Sequence, residues 1–189
     1  MGSYTNKKII VGLVGEAGSG KDTVADYLGE KHKAVLLRFA DPLREALSLY
    51  INDFSREDLA WLSISLRKRF GNRVLSEAIR KRIEDVKEGI VVINGLRLME
   101  DLEFMKGIPG ATVVYVTLDS KSRWERMYNR GEKTDDAVSY EDFLKMEKTE
   151  TEEQIPLIGE KADIKVENIG AREELFAKID KILDNLRRG

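Results

Sequence analysis

A glycine-rich segment near the start of the chain carries the clearest chemistry in the sequence. Residues 15–21, GEAGSGK, have the spacing G-x-x-x-x-G-K. Glycines let the backbone curl until successive N–H groups point at phosphate oxygens, and the positive end of a following helix faces the same anion. Lys21 then reaches toward the terminal phosphates as a mobile charge. The predicted nucleoside triphosphate site comprises Gly15, Ala17, Gly18, Ser19, Gly20, Lys21, Asp22 and Thr23.

The residue after Lys21 departs from the usual form of this motif. That form continues with Ser or Thr, whose hydroxyl contacts Mg²⁺, whereas this chain has Asp22 followed by Thr23. Asp22 could bind the metal ion directly or through water. Alternatively, its carboxylate only favours the positive end of the helix that begins there. Both interpretations remain open at the level of sequence.

Short apolar runs alternate with longer helical patterns along the whole chain. One such run precedes the glycine-rich segment and a helical pattern follows it, which is the context of a phosphate-binding loop. Strands that are apolar throughout and separated by helices indicate a parallel sheet covered on both faces. We therefore predict a three-layer α/β/α fold of the P-loop NTPase type. Its five parallel strands are predicted at residues 8–14, 34–39, 90–93, 112–118 and 162–166.

The spacing of these strands also predicts the domain organisation. Residues 40–89 contain no predicted strand, and this stretch is longer than an ordinary crossover between parallel strands. We expect a helical, acceptor-binding insert at about 41–88, with Ser55 as the N-cap of one of its helices. A lid is expected at about 119–150. Both belong to a single domain that spans residues 1–189.

The composition excludes several other kinds of protein. The 189-residue chain has no cysteine, which rules out disulfides and thiolate metal sites. Its formal net charge of −2 points to neither nucleic acid nor an anionic membrane. Residues 1–8 lack the apolar core of a signal peptide, and the apolar runs are too short to span a bilayer. We expect a cytoplasmic protein without a membrane or nucleic-acid partner; its oligomeric state stays open.

Two parts of the chain resemble known families of phosphate-transferring enzymes. GSGKDTVADYL at residues 18–28 and RFADPLREAL at residues 38–47 are similar to the deoxynucleoside monophosphate kinases of the phage type. VVINGLR at residues 91–97 and ADIKVEN at residues 162–168 resemble the archaeal adenylate-kinase-related and dephospho-CoA-kinase-like proteins. Both groups belong to the nucleoside monophosphate kinase branch of P-loop folds. The resemblance covers about residues 8–186.

The resemblance implies roles for residues outside the phosphate loop. In the D-P-L-R segment, Asp41 and Arg44 match the helix that binds the acceptor, with Arg44 at the acceptor phosphate. Arg97 matches a second arginine for that phosphate. Arg126 and Arg130 resemble the pair that stacks on the donor base and contacts the donor phosphates. The implied catalytic residues are Lys21, Asp22, Arg97 and Arg130.

Two further positions differ from the pattern of the family. Asn94 stands where the family has a carboxylate that holds the waters of Mg²⁺. Because position 94 lacks a carboxylate and position 22 has one, the carboxylate that serves the metal could have moved from position 94 to position 22. In the alternative interpretation, Asn94 only hydrogen-bonds water or the backbone. Residues 133–136, KTDD, are similar to the R-x-D-D of a mobile lid, with lysine in place of arginine.

Together these features predict a small-molecule kinase. Phosphoryl transfer mainly requires that the enzyme align donor and acceptor and neutralise developing charge. The expected reaction moves the γ-phosphate of ATP, with Mg²⁺ as cofactor, to a phosphorylated, nucleotide-like small molecule. A (deoxy)nucleoside monophosphate is favoured over dephospho-CoA. The alternative of another class is an NTP-binding switch or assembly ATPase whose slow hydrolysis controls a partner.

The predicted insert also contains a strongly basic run within residues 61–82. Such a run is usually a solvated helix face, but some of its basic residues could bind the acceptor. Nucleic-acid binding is disfavoured, because no aromatic residues are interleaved with the basic ones. Trp61, at the start of this run, is expected to be half-buried in a core, with stacking on an acceptor base as the alternative.

Overall fold

A five-stranded parallel sheet forms the centre of the computed structural model, which describes residues 8–87, 89–130, 138–149 and 152–188. Its strands are β1 (Ile9–Val14), β2 (Val35–Arg38), β3 (Ile90–Asn94), β4 (Ala111–Thr117) and β5 (Ile164–Glu167). They lie in the order β2-β3-β1-β4-β5, and all neighbouring pairs are parallel. The predicted sheet is therefore confirmed, with strand ends shifted by one or two residues.

Helices cover both faces of this sheet, as the α/β/α prediction requires. Within the described ranges no helix is both long enough and apolar enough to cross a membrane. The helices are α1 (Lys21–His32), α2 (Asp41–Ser48), α3 (Arg56–Phe70), α4 (Val74–Asp85), α5 (Met99–Lys106), α6 (Ser120–Arg130), α7 (Tyr140–Met146), α8 (Gln154–Glu160) and α9 (Arg172–Arg188).

The sheet separates two apolar cores. On one face, Val11 and Leu13 of the fully buried strand β1 pack with α1 and α9. On the other face, Ile10 and Val14 pack with α4, α5 and α8. Gly12 lies between Ile10 and Val14 in the strand. A Cβ atom at this position would lie only 2.9 Å from the Met105 side chain, so glycine allows α5 to approach β1 closely. Burial on both faces explains why the strands are apolar throughout.

The carboxyl ends of three adjacent strands meet at one edge of the sheet. In the register of the sheet, Asn94 at the end of β3 is paired with Leu13 of β1 on one side and with Arg38 of β2 on the other. The phosphate loop follows β1, and helix α2 follows β2 almost at once. Ligands of open α/β sheets bind outside the carboxyl ends of the strands, so this edge is where the functional residues must converge.

Helices α2, α3 and α4 occupy the long connection between β2 and β3. Helix α3 begins at a capping box in which the Ser55 hydroxyl accepts a bond from the Asp58 amide (3.1 Å) and Asp58 accepts one from the Ser55 amide (2.7 Å). The helix stops at Gly71, whose φ of 91° is unfavourable for other residues. The predicted N-cap is confirmed. The acceptor-binding role of these helices stays a prediction.

The expectation that Trp61 lies in a core is wrong. Its side chain is 64% exposed. Helix α3 packs on the core through Leu59, Leu62 and Leu66. At about 100° per residue, Trp61 lies on the opposite side of the helix from these leucines. An aromatic residue within an apolar helical pattern suggested burial, but the helix carries apolar residues on both of its sides.

Candidate phosphate-binding site

The glycine-rich loop joins β1 to α1 and requires glycine at two positions for reasons beyond the approach of a phosphate. Gly18 and Gly20 have φ angles of 77° and 92°, in the left-handed region that side chains disfavour. A Cβ on Gly18 would also lie 2.5 Å from the carbonyl oxygen of Arg123, and one on Gly20 would lie 2.3 Å from Nδ2 of Asn168. Helix α6 and the residue that follows β5 therefore pack directly against the loop.

Two buried polar side chains from outside the loop hold its backbone in place. The Arg123 guanidinium donates to the carbonyl oxygens of Ala17 (3.3 Å) and Leu118 (2.9 Å) and forms an ion pair with Glu147. Asn168, just after β5, donates through Nδ2 to the carbonyl oxygen of Ser19 (2.8 Å). Neither residue was found from the sequence. The available signals were a charged residue at a core-facing helical position and an asparagine after a strand.

The Arg123 contacts predict a large loss of stability when this side chain is removed. Arg123→Ala leaves Glu147 without its buried partner, and breaking such a pair costs about 3–5 kcal/mol. Because Glu147 is partly accessible, we expect a loss near the lower limit, about 3 kcal/mol, in chemical denaturation. Lys121→Ala, an exposed position on the same helix, should change the free energy of unfolding by no more than about 0.5 kcal/mol. Equal stability of the two variants would contradict this role.

Asp22 and Asn94, two of the departures from the family pattern, lie in direct contact with each other. Nδ2 of Asn94 donates to Oδ1 of Asp22 (2.9 Å). Nζ of Lys21 contacts both side chains, at 2.8 Å from Oδ1 of Asp22 and 3.0 Å from Oδ1 of Asn94. Asn94 is buried (4% exposed), whereas the Asp22 side chain is 55% exposed. The Asp22 carboxylate therefore lies beside the position from which the usual carboxylate is missing.

The Asp22 carboxylate fits Mg²⁺ as this ion is commonly bound beside nucleotides. Mg²⁺ keeps several waters and takes one or two carboxylates together with substrate phosphates. In the described part of the chain, no cluster of three or more His, Cys, Asp or Glu side chains could hold a metal ion. The Asp22 carboxylate is 55% exposed, which leaves room for the water and phosphate ligands that Mg²⁺ requires.

The acceptor residues predicted on α2 lie just beyond the end of β2. Oδ2 of Asp41 accepts a hydrogen bond from the Arg38 amide (2.8 Å), so this side chain fixes the turn into the helix. Its other oxygen is 3.5 Å from Nη1 of Arg44. The Arg44 side chain is about half exposed, on the helix that follows β2. It can therefore be reached by a ligand from solvent.

Arg97 lies in the connection that follows β3 and forms an ion pair with Glu152. The backbone of this connection is fixed by Asp101, whose Oδ2 accepts from the amides of Arg97 and Leu98, both at 3.1 Å. Burial raises the pKa of the Asp101 carboxyl, against the opposing effect of these bonds and of Arg67. The Arg97 guanidinium is thus presented by a rigid connection three residues after Asn94.

Of the two predicted donor residues on α6, Arg126 borders a cleft. Nη2 of Arg126 donates to the carbonyl oxygen of Asn168 (2.9 Å), the residue that also holds the loop through its side chain. The cleft has a volume of about 390 Å³ and lies between α6 and the residues after β5, including Ile169 and Gly170. Arg130 ends α6. The predicted lid motif at residues 133–136 lies outside the described residues.

A buried tyrosine–carboxylate contact ties the second residue of the loop to the sheet. The Tyr115 hydroxyl donates to Oε1 of Glu16, and the Thr117 hydroxyl donates to the same oxygen at 3.3 Å. Burial, followed by this bond to Glu16, raises the pKa of Tyr115 to about 12. Within the described residues, the buried Oε2 of Glu16 has no hydrogen-bond partner. Glu16 is a further site residue that the sequence pattern did not indicate.

Comparison with known proteins assigns the chain to a family. A family model described as "AAA domain" matches residues 11–155. A UPF0200 protein of Sulfurisphaera tokodaii is 30% identical over 177 residues, which cover 94% of this chain and 97% of the relative. The chain belongs to this AAA domain family and to the UPF0200 proteins. The UPF0200 protein TK1334 of Thermococcus kodakarensis is 27% identical over 183 residues, covering 94% of this chain and 98% of the relative.

Solved structures similar to this UPF0200 protein share its fold over almost the whole chain. TT1252 from Thermus thermophilus aligns with a TM-score of 0.61 at 21% identity, covering 95% of this chain and 98% of the other. Shikimate kinase from Aquifex aeolicus aligns with a TM-score of 0.57 at 22% identity, covering 95% and 99%. At these identities the likeness establishes the fold alone, a parallel sheet with helices on both faces.

Proposed function

We propose that this protein is an ATP-dependent kinase that transfers the γ-phosphate to a phosphorylated, nucleotide-like acceptor. The observation that carries the proposal is the contact of Lys21 with Asp22 and Asn94 at the end of a phosphate-binding loop. This cluster joins a cation for the phosphates to a carboxylate suited to Mg²⁺. A (deoxy)nucleoside monophosphate is favoured over dephospho-CoA, because the RFADPLREAL segment resembles the phage-type kinases.

On the donor side, the loop binds phosphate through its backbone and through Lys21. The backbone N–H groups and the N-terminal end of α1 face the same anion, and the Lys21 ammonium neutralises charge that develops on the terminal phosphate. ATP phosphates compete with Asp22 and Asn94 for Lys21, and this exchange frees the Asp22 carboxylate for water or metal. Asp22 would hold Mg²⁺, which would supply positive charge against the phosphates when bound.

On the acceptor side, Arg44 and Arg97 supply the charge for a second phosphorylated molecule. Each guanidinium can bind a phosphate through two parallel N–H groups, which fixes orientation as well as charge. The two residues follow β2 and β3; β3 lies next to β1 in the sheet, and β2 lies beyond β3. A phosphate held there faces the donor phosphates at the end of β1, as in-line transfer requires.

The acceptor arginines provide a test that separates the two substrates. Loss of a charge-assisted bidentate contact costs about 1.5–3 kcal/mol, roughly ten- to a hundredfold in an equilibrium constant. Arg44→Ala and Arg97→Ala should weaken acceptor binding by about that factor, while affinity for a non-hydrolysable ATP analogue barely changes. Calorimetric titration with each ligand separately measures both effects.

Arg188→Ala, at an exposed position on α9, is the matched control and should leave both affinities unchanged. If the Arg44 and Arg97 variants lose ATP affinity and keep acceptor affinity, the acceptor site is misplaced. If turnover falls more than acceptor affinity, part of each contact forms mainly in the transition state.

A second candidate function follows from the match to the family described as "AAA domain". In this alternative, the protein binds and slowly hydrolyses NTP to control a macromolecular partner. The two candidates respond to different molecules. A kinase consumes ATP faster when its small acceptor is added, and it phosphorylates that acceptor. A switch hydrolyses NTP faster when its macromolecular partner is added, and it does not phosphorylate small compounds.

A further inference from the structure

Helix α3 exposes a continuous stripe on the side that faces away from the core. The stripe consists of Glu57, Trp61, Ile64 and Lys68, and all four side chains are exposed. Their spacing of four, three and four residues keeps them on one face of the helix, as in a coiled-coil seam. Trp61 and Ile64, at its centre, are 64% and 65% exposed. Large apolar side chains adjacent on a surface mark an interaction site.

The charged ends of this α3 stripe are arranged symmetrically about its apolar centre. Glu57 and Lys68 are equally far from the midpoint between Trp61 and Ile64 and carry opposite charges. Neither one forms an ion pair with any other residue that the structure describes. A second α3 helix laid antiparallel across this midpoint therefore presents positive charge to Glu57 and negative charge to Lys68. The stripe is complementary to itself.

We propose that the α3 stripe is a contact between two copies of this chain. In a two-fold dimer the same patch serves both subunits, so each contact occurs twice. Trp61 packs against Ile64 of the partner subunit, and Glu57 pairs with Lys68 of the partner subunit. Tryptophan is enriched among the residues that dominate interface energetics, which fits its position at the centre.

One exposed helix face is a small interface. Contacts below the standard size are typical of weak or transient association. We therefore expect a dimer that dissociates on dilution through the micromolar range. The stripe lies opposite the leucines of α3 that pack on the core, so this inference does not depend on the proposed kinase activity.

The apolar centre is tested by sedimentation equilibrium of the full chain over a wide range of concentration. Trp61→Ser removes both central aromatic residues of the dimer and should weaken association by about a hundredfold or more. Leu157→Ser is the matched control, because Leu157 is a 52% exposed apolar residue on α8, away from the stripe. It should leave the dissociation constant unchanged. A wild-type protein that stays monomeric, or a dimer unaffected by Trp61→Ser, overturns the proposal.

The charged ends test the antiparallel arrangement. Glu57→Lys and Lys68→Glu each replace two attractive pairs by two repulsive ones and should weaken association about tenfold. The double variant restores opposite charges and should regain near-wild-type association. Both reversals oppose the helix dipole, so helix stability should fall further in the double variant. Recovery of association despite lower stability is therefore specific to pairing between subunits.

Two results would overturn this arrangement. The first is a double variant that associates as weakly as the single variants, because the charges would then not face each other. The second is a Trp61→Ser variant with unchanged association and weakened binding of a nucleoside monophosphate, because Trp61 would then serve a ligand instead of a second subunit.

Discussion

Lys21→Ala is expected to lower the rate of phosphoryl transfer by about a hundred- to a thousandfold, which is the usual effect of removing a group that stabilises transition-state charge. Nζ of Lys21 contacts the polar side chains of Asp22 and Asn94, and Lys21 belongs to neither apolar core. The fold should therefore survive the substitution. Initial rates at saturating ATP, together with circular dichroism and thermal unfolding, measure both parts of this prediction.

Lys121→Ala removes an exposed lysine from α6 and provides the control for a general loss of positive charge. Its rate should match that of the wild type. If Lys21→Ala transferred phosphate at a rate close to the wild type while folding normally, the loop would be incidental to the reaction.

Asp22→Asn is expected to raise the Mg²⁺ concentration needed for half-maximal turnover by about ten- to a hundredfold. The physical reason is that the substitution removes the carboxylate at the end of the loop, where Asp22 accepts from Asn94 and contacts Lys21. Asn94→Ala keeps that carboxylate and should change the Mg²⁺ requirement much less. Mg²⁺-dependent binding of an ATP analogue gives a second readout that does not depend on turnover.

The double variant Asp22→Ser, Asn94→Asp tests whether the carboxylate has moved between these positions. It restores a hydroxyl after Lys21 and a carboxylate at the end of β3, and it should recover part of the activity lost in Asp22→Asn. An unchanged Mg²⁺ requirement in Asp22→Asn would contradict a metal role for Asp22 and favour its interaction with the helix N-terminus.

Local patterns were sufficient to predict the fold. Buried parallel strands are apolar throughout, and the glycine-rich segment occurs in its expected place between a strand and a helix. The helix cap at Ser55 and the stop at Gly71 follow from short-range hydrogen bonding and backbone conformation, which sequence expresses directly. These elements depend on neighbours a few residues away, so periodicity and capping rules identify them.

The support of the candidate site could not be predicted in the same way. Arg123 and Asn168 hold the loop from positions far along the chain, and their role depends on which carbonyl groups the tertiary fold brings to them. The contact of Asp22 with Asn94 joins residues on two different strand–loop units. Trp61 was misplaced because apolar periodicity does not distinguish the inner side of α3 from an outer side that is also apolar.

Direct detection of the phosphorylated product tests the central claim. Wild-type protein is incubated with ATP, Mg²⁺ and, one at a time, a panel of nucleoside and deoxynucleoside monophosphates and dephospho-CoA. Mass spectrometry follows the acceptor while ATP consumption is measured in parallel. The kinase proposal predicts that at least one acceptor gains a single phosphoryl group and speeds ATP consumption in equal stoichiometry. ATP consumption that no acceptor stimulates, with no phosphorylated product, would contradict it.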